Sequence, residues 1–318
     1  MFAQLVDFSG NFLGSFLYNI YNFTGRDYGF ALIIFTIIVK LILMPLNIKQ
    51  IKSSMKMTEL QPELKKLQDK YKDDKEKLNE EMVKFFKTNN YNPANGCIMS
   101  FIQLPILIML WQVISKPITF MLNGGQYVQI MLDYFNSLIK DSTPKIIDET
   151  SIIFSFAQDK ITALADKGIP EPVLTKIIDL QNGMHFLGIF NLAKVPSYKP
   201  ELLKANPEIY LPLIFIVVMA ALFTYISSAM MIKAQNTKQI PVKESKKQDS
   251  PMPFDPAQTQ KTMLLIGPIM TLIFAFQLPA GLSLYWLAGY VFQVFQQLYI
   301  NKTIYANKTV VDLNKKEV

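Results

Sequence analysis

The chain has 318 residues, a formal net charge of +7 and a mean hydropathy of +0.21; half of it is hydrophobic and only 18% is charged. A single cysteine, Cys97, excludes a disulfide framework or a cysteine metal cluster within the chain, and a single histidine, His185, excludes a His pair for zinc. The apolar residues gather in five blocks, 28–48, 97–115, 207–232, 262–278 and 281–300. Each can cross about 30 Å of hydrocarbon, so the sequence reads as an all-α integral membrane protein with five transmembrane helices.

Residues 1–27 carry no positively charged leader and no cysteine that could be lipidated. They read as a retained segment, neither a signal nor a transit peptide. Leu5, Phe8, Phe12, Phe16 and Ile20 recur at helical spacing against a face of Gln, Asn and Ser, which predicts an extracytoplasmic helix lying in the interface.

The first block contains Lys40, in FTIIVKLILMPL. Twelve Leu, Ile, Phe or Val residues between 30 and 46 contribute about −0.3 to −0.6 kcal/mol each near the centre of a span. The lysine costs about +2.5 to +3.5 kcal/mol on the same scale. The block still spans. Lys40 lies ~3 Å past the middle of the block, leaving about 12 Å to the inner edge. Its Cα–Cβ bond leans toward the helix N-terminus, away from that edge. Such a residue by default faces a wet cavity or a partner; snorkelling with local thinning is the alternative. Thr36, one turn earlier on the same face, either extends the polar stripe or bonds back to its own helix.

Segment 49–96 holds eleven lysines and eight acids. Leu60, Leu64, Leu67 and Tyr71 form one stripe and Leu78, Met82 and Phe85 another, with Lys72, Asp73 and Asp74 between. This predicts a hairpin of amphipathic helices, supported by a Glu80–Lys84 pair. It reads either as a solvated connector or as a docking arm. The second span, 97–115, is interrupted by Gln103. Residues 116–206 carry nine lysines and nine acids and alternate helix-like stretches with Pro and Gly. They predict a small helical cap containing an insertion, in which His185 is an interface residue rather than a catalyst.

Ser227 and Ser228 end the apolar run of the third span, and the Pro-, Lys- and Gln-rich residues 233–261 read as a loop before the fourth. Pro45, Pro105, Pro212 and Pro268 each remove a backbone donor from a span, which a hydrated groove tolerates; ordinary membrane-helix frequency explains them singly. Lysine density in 49–96, 233–261 and the tail 301–318 places these three segments inside, with the N-terminus outside.

Three stretches carry a family likeness: PLNIKQIKSSMKMTELQPELKKLQDKYKDDKEKLNEEM, then YNPANGCIMSFIQLPILIMLW, then QLPAGLSLYWLAGYVFQVFQQ. The chain resembles the YidC/Oxa membrane-insertase family, bacterial type, over about 28–122 and 184–302; segment 123–183 has no counterpart in its compact members. The resemblance implies a non-enzymatic, cofactor-free plasma-membrane insertase and chaperone. Its hydrophilic groove opens to the cytoplasm and the lipid, and one positive charge attracts polar or acidic N-tails of small membrane proteins. Lys40 stands at the position of that charge, where the family usually has arginine; lysine keeps the charge without the planar donor fork. Thr36 matches a groove-lining position, Trp286 a substrate-facing aromatic and Gln103 the glutamine of the second span. Ser227 falls where some members have glutamine, and Tyr290 stands where asparagine is expected.

Implied partners are newly made membrane proteins and the bilayer, with the ribosome, signal-recognition machinery and secretion channel as further candidates and no nucleic acid bound directly. Two other classes compete. A small transporter or channel with an anion-coordinating lysine lacks the expected repeats and paired broken segments. An intramembrane hydrolase using Ser283 lacks a base within the spans.

Overall fold

The computed structural model describes residues 2–92, 105, 108–139, 148–236 and 256–302. Gln103, Cys97, most of the 233–261 loop and nearly all of the tail lie outside them. The described chain is mostly helical and forms two compact units. The first comprises Met1–Lys40, Pro105–Leu222 and Ile269–Tyr290, and the second Leu41–Leu104, Phe223–Pro268 and Val291–Val318.

The first unit begins with α1 (Phe2–Phe23), which packs on the short α5 (Pro117–Phe120). A β-carbon at Gly14 would collide with the Phe120 carbonyl, so only glycine allows the two backbones to approach this closely. Leu17 and Tyr21 of α1 are buried with Tyr28, Leu32 and Phe35 of α2 (Tyr28–Lys70) and with Leu110, Val113 and Ile114 of the helical stretch 108–115, α4.

The insertion shares this core. It contains α6 (Val128–Leu138), α7 (Glu149–Ser155), α8 (Gln158–Thr162) and α9 (Glu171–Gly183). Met131, Phe135, Ile152, Ile161, Leu174 and Ile177 are fully or almost fully buried, and Phe135 stacks on Phe156 at 4.0 Å. Gln181 donates to the carbonyls of Ile153 (2.6 Å) and Phe156 (2.9 Å), satisfying acceptors left open at the end of α7.

One feature departs from an all-α architecture. β1 (His185–Phe186) pairs antiparallel with β2 (Phe190–Asn191) around a turn in which Leu187 (φ 52°) and Gly188 (φ 72°) are both left-handed. Positive φ at both central residues is the geometry of a tight hairpin, and Gly188 makes it accessible. Beyond it come α10 (Pro200–Ala205), α11 (Pro207–Asn236), α12 (Pro256–Ala275) and α13 (Ala280–Ile300).

The second unit contains the polar half of α2 and α3 (Lys75–Thr88). No break separates the first apolar block from the charged segment after it. α2 is one helix of 43 residues, with Pro45 and Pro62 inside it. At 1.5 Å per residue that is ~65 Å, twice the thickness of hydrocarbon. The chain turns at 71–74, and the Asp74 carboxylate caps α3 by accepting the Lys77 N–H (3.0 Å). Met55, Thr58, Leu64 and Leu78 are buried, and Lys56 donates to the Asn90 carbonyl (2.9 Å). Lys84 pairs with Glu81 (2.8 Å), one helical turn away at i,i+3, rather than with Glu80.

By length and composition α2 and α11 can cross a membrane, and Leu264–Ala275 of α12 is a shorter apolar stretch. α13 has the length, but Gln293, Gln296, Gln297 and three tyrosines lower its hydropathy.

Candidate functional site

The first unit brings three of the expected site residues into one neighbourhood of helices: Thr36 and Lys40 on α2 and Trp286 on α13. Thr36 is fully buried, and its hydroxyl donates to the Leu32 carbonyl one turn back (2.6 Å). The back-bonded alternative therefore describes this side chain, which spends its proton on its own helix.

Lys40 is half-buried and forms no ion pair among the described residues. Its neighbour across the packing is Gly289 of α13. A β-carbon there would stand 3.2 Å from Lys40 Cε, 3.8 Å from Nζ and 3.8 Å from Thr36 Cγ2. The absent side chain at 289 is what leaves room for the lysine stem. Trp286, three positions earlier and thus on an adjoining part of the same face, is half-buried against the hydrophobic core. Gly289 was not among the expected residues. The only trace in the sequence is a small pair, Ala288–Gly289, between bulky LYWL and YVF.

The Ser283 hydroxyl on α13, the Tyr28 hydroxyl at the start of α2 and the Ser115 hydroxyl on α4 are buried without a hydrogen-bond partner among the described residues.

Ser227 belongs to the second unit, on α11, and is buried. It lies among small polar residues, Thr224, Ser227 and Ser228. A β-carbon at Gly267 of α12 would stand 3.3 Å from Thr224 Cγ2 and 4.0 Å from Ser228 Oγ. Small side chains here allow α11 and α12 a close approach. On α13 the Gln297 amide donates to the Asn301 side-chain carbonyl (2.8 Å), while the Gln296 amide nitrogen is buried without a partner among the described residues.

The cap is fastened by polar contacts of its own. Tyr21 donates to the Asp179 carbonyl (2.8 Å), Arg26 pairs with the Asp179 carboxylate (2.7 Å), and Gly183 leaves room for the Arg26 carbonyl. Burial of the Tyr21 hydroxyl raises its pKa, as does the nearby Asp179 charge. Glu149 is also buried; it accepts the Thr119 N–H (2.9 Å) and the Thr119 hydroxyl. Burial raises its pKa, and the Thr119 hydrogen bonds oppose that shift.

The sequence matches the family described as 60Kd inner membrane protein over residues 19–308. It is 28% identical over 294 residues to a protein of Oceanobacillus iheyensis named membrane protein insertase YidC, covering 91% of this chain and 81% of that one. A Streptomyces avermitilis protein of the same name is 28% identical over 281 residues, 87% of this chain and 52% of the relative. A Clostridium perfringens protein, also so named, is 50% identical over 91 residues, 29% of this chain and 38% of the relative. With most of its length matched, and with the hairpin and span motifs noted above, the chain belongs to the 60Kd inner membrane protein family, the YidC/Oxa family.

Proposed function

We propose that the protein is a membrane protein insertase of the bacterial plasma membrane. It guides small or single-span membrane proteins from the cytoplasm into the bilayer without cofactor or chemical catalysis. The observation that carries the reading is Lys40, a lysine without an ion-pair partner among the described residues, set in the apolar half of α2 against Gly289. Family membership and the names of the relatives support the same reading.

The mechanism follows from the cost of moving polar groups through hydrocarbon, several kcal/mol for each unsatisfied one. A hydrated groove open to the cytoplasm shortens that path. Lys40 attracts an acidic N-tail into it, and Trp286 meets the entering segment. The client's apolar span then leaves along apolar helix faces into lipid. In this reading Gln103 and Ser227 are groove residues by the family resemblance alone, and Thr36, buried and bonded to its own helix, packs beside Gly289 with the lysine. Five spans, an outside N-terminus and a cytoplasmic C-terminus give the topology. The hairpin over 49–96 then receives clients, or the ribosome and targeting factors that bring them, alone or beside the secretion channel.

The test is insertion of a single-span client with a short acidic N-tail into proteoliposomes, using the natural protein, Lys40→Arg and Lys40→Leu at equal folded amounts. Arginine is expected to support insertion and leucine to lose most of it. Equal activity of the leucine variant would remove the charge from the mechanism. Failure of the natural protein would overturn the insertase reading, and solute flux through the same vesicles would then favour a channel.

A further inference from the structure

The segment from His185 to Lys199 is fastened to the ends of three apolar helices within the first unit. Phe186 lies against Gly29, where any β-carbon would run into its ring, and meets Phe30 edge-on at 5.2 Å; both partners belong to the first turn of α2. The N–H of Ala280 donates to the Lys194 carbonyl (2.9 Å) and that of Gly281 to the Leu192 carbonyl (2.6 Å), seating the segment on the start of α13. Tyr198 meets Phe276, just past the end of α12, edge-on at 5.2 Å. The starts of α2 and α13 and the end of α12 therefore share one level, and this segment runs across it.

At that level the segment turns large apolar side chains outward. Leu187 and Ile189, on either side of Gly188 at the hairpin tip, are each 58% exposed, and Tyr198 is 69% exposed. Phe186 and Phe190 of the same hairpin fix its base against the core, so the tip is held out on a short, braced support. Leu187 keeps a left-handed backbone that asparagine or glycine would adopt more easily. Below the tip the same surface continues as exposed Phe30 and Ile37 on α2. An apolar tip, an exposed tyrosine and two lysines, Lys194 and Lys199, make the composition of a segment seated at the boundary between acyl chains and headgroups.

We propose that the 185–191 hairpin is a lipid-binding wedge. Leu187 and Ile189 enter the acyl region of the leaflet on the side of the α2 N-terminus, and Tyr198 and the two lysines lie at headgroup level. The occupant is lipid rather than a protein partner, because the exposed tip is continuous with the apolar surface of a helix able to span the bilayer. The wedge fixes the depth of the ends of α2 and α13, and with them the height of Lys40 and Gly289.

The experiment places a single cysteine at Leu187→Cys, at Ile189→Cys or, as a water-facing control, at exposed Lys160→Cys, each with Cys97→Ser. Each is labelled with an environment-sensitive fluorophore and reconstituted in phosphatidylcholine–phosphatidylglycerol vesicles. Quenching is read with iodide and with lipids carrying a nitroxide at acyl carbon 5. Labels at 187 and 189 are expected to be quenched by the nitroxide lipid and at least several-fold less by iodide than the label at 160. Iodide quenching equal to that at 160 overturns the proposal. Protection from both quenchers also overturns it, since a protein surface then covers the tip. The two positions report independently, so one poorly folded variant leaves the other decisive. No client is present, so a negative result leaves the insertase reading standing.

Discussion

The stem of Lys40 crosses α13 at Gly289, with Cε 3.2 Å from where a β-carbon would be. Alanine at 289 would press on the far end of a flexible side chain, which can yield. A branched side chain would fill the space the lysine occupies. Gly289→Ala is expected to keep most insertion activity. Gly289→Leu is expected to lower insertion of acid-tailed clients about as far as Lys40→Leu, with an overpacking cost of about 1–3 kcal/mol. The assay is the proteoliposome insertion described above, with melting in detergent as the control. Full activity in Gly289→Leu would show that the lysine does not need this path.

The cap offers a ranked series. Gly183→Ala sets a methyl against the Arg26 backbone carbonyl and the Tyr21 hydroxyl, and is expected to cost about 1–3 kcal/mol. Tyr21→Phe removes one hydrogen bond, worth about 1 kcal/mol. Arg26→Ala breaks an ion pair whose arginine is 60% exposed, at about 0–1 kcal/mol. Thermal melts of the three variants in one detergent check the order; Arg26→Ala as the most damaging would contradict it.

Glu149 gives a pH dependence with a definite sign. Its pKa is raised above the ordinary 4.5 by burial, so the folded state holds its proton more tightly than the unfolded state does. Stability from this group is complete below about 4.5, declines as pH rises through the raised value and is then flat. Glu149→Gln is expected to abolish that decline, because an amide does not titrate, while its one oxygen can still accept from one of the two Thr119 donors. Glu149→Ala leaves the Thr119 donors unpaired and is expected to cost about 1–3 kcal/mol. Melting temperature against pH for the three proteins is the measurement, and a parallel profile for Glu149→Gln would refute the assignment.

The α2–α3 turn depends on one carboxylate. Asp74→Ala removes the cap on the Lys77 N–H and is expected to cost α3 about 0.5–2 kcal/mol. Hydrogen exchange should quicken in the first turn of α3 while α6 and α9 keep their protection. Unchanged exchange at 75–78 would mean the cap is replaced by water.

How far the sequence disclosed this molecule differs from element to element. The apolar runs of α2 and α11 were visible because a bilayer demands length and composition together, and both are properties of one segment. The continuation of α2 past residue 48 was not visible. The change from apolar to charged marks a change of solvent, and the helix runs straight through Asn47, a residue that could have ended it. The 185–191 hairpin was hidden by its shortness, since two-residue strands carry no period.

Among the candidate site residues, Lys40 is legible as a lysine within an apolar run, and Thr36 as one of two alternatives. Gly289 was not legible, because its meaning lies in what the facing helix places opposite it. The Glu81–Lys84 pair shows the same limit on a small scale: i,i+3 and i,i+4 neighbours compete, and rotamers decide between them.

The Thr36 hydroxyl is committed to the Leu32 carbonyl of its own helix. From Ile33 to Met44 the only polar side chains on α2 are Thr36 and Lys40, and Thr36 is both buried and occupied. This stretch of α2 therefore presents one lysine on a flexible stem and no fixed arrangement of donors and acceptors. A surface of that kind counts charge and does not read sequence. In the proposed insertase it would treat an aspartate at the second or the fifth position of a tail much alike, a tolerance that suits many unrelated clients.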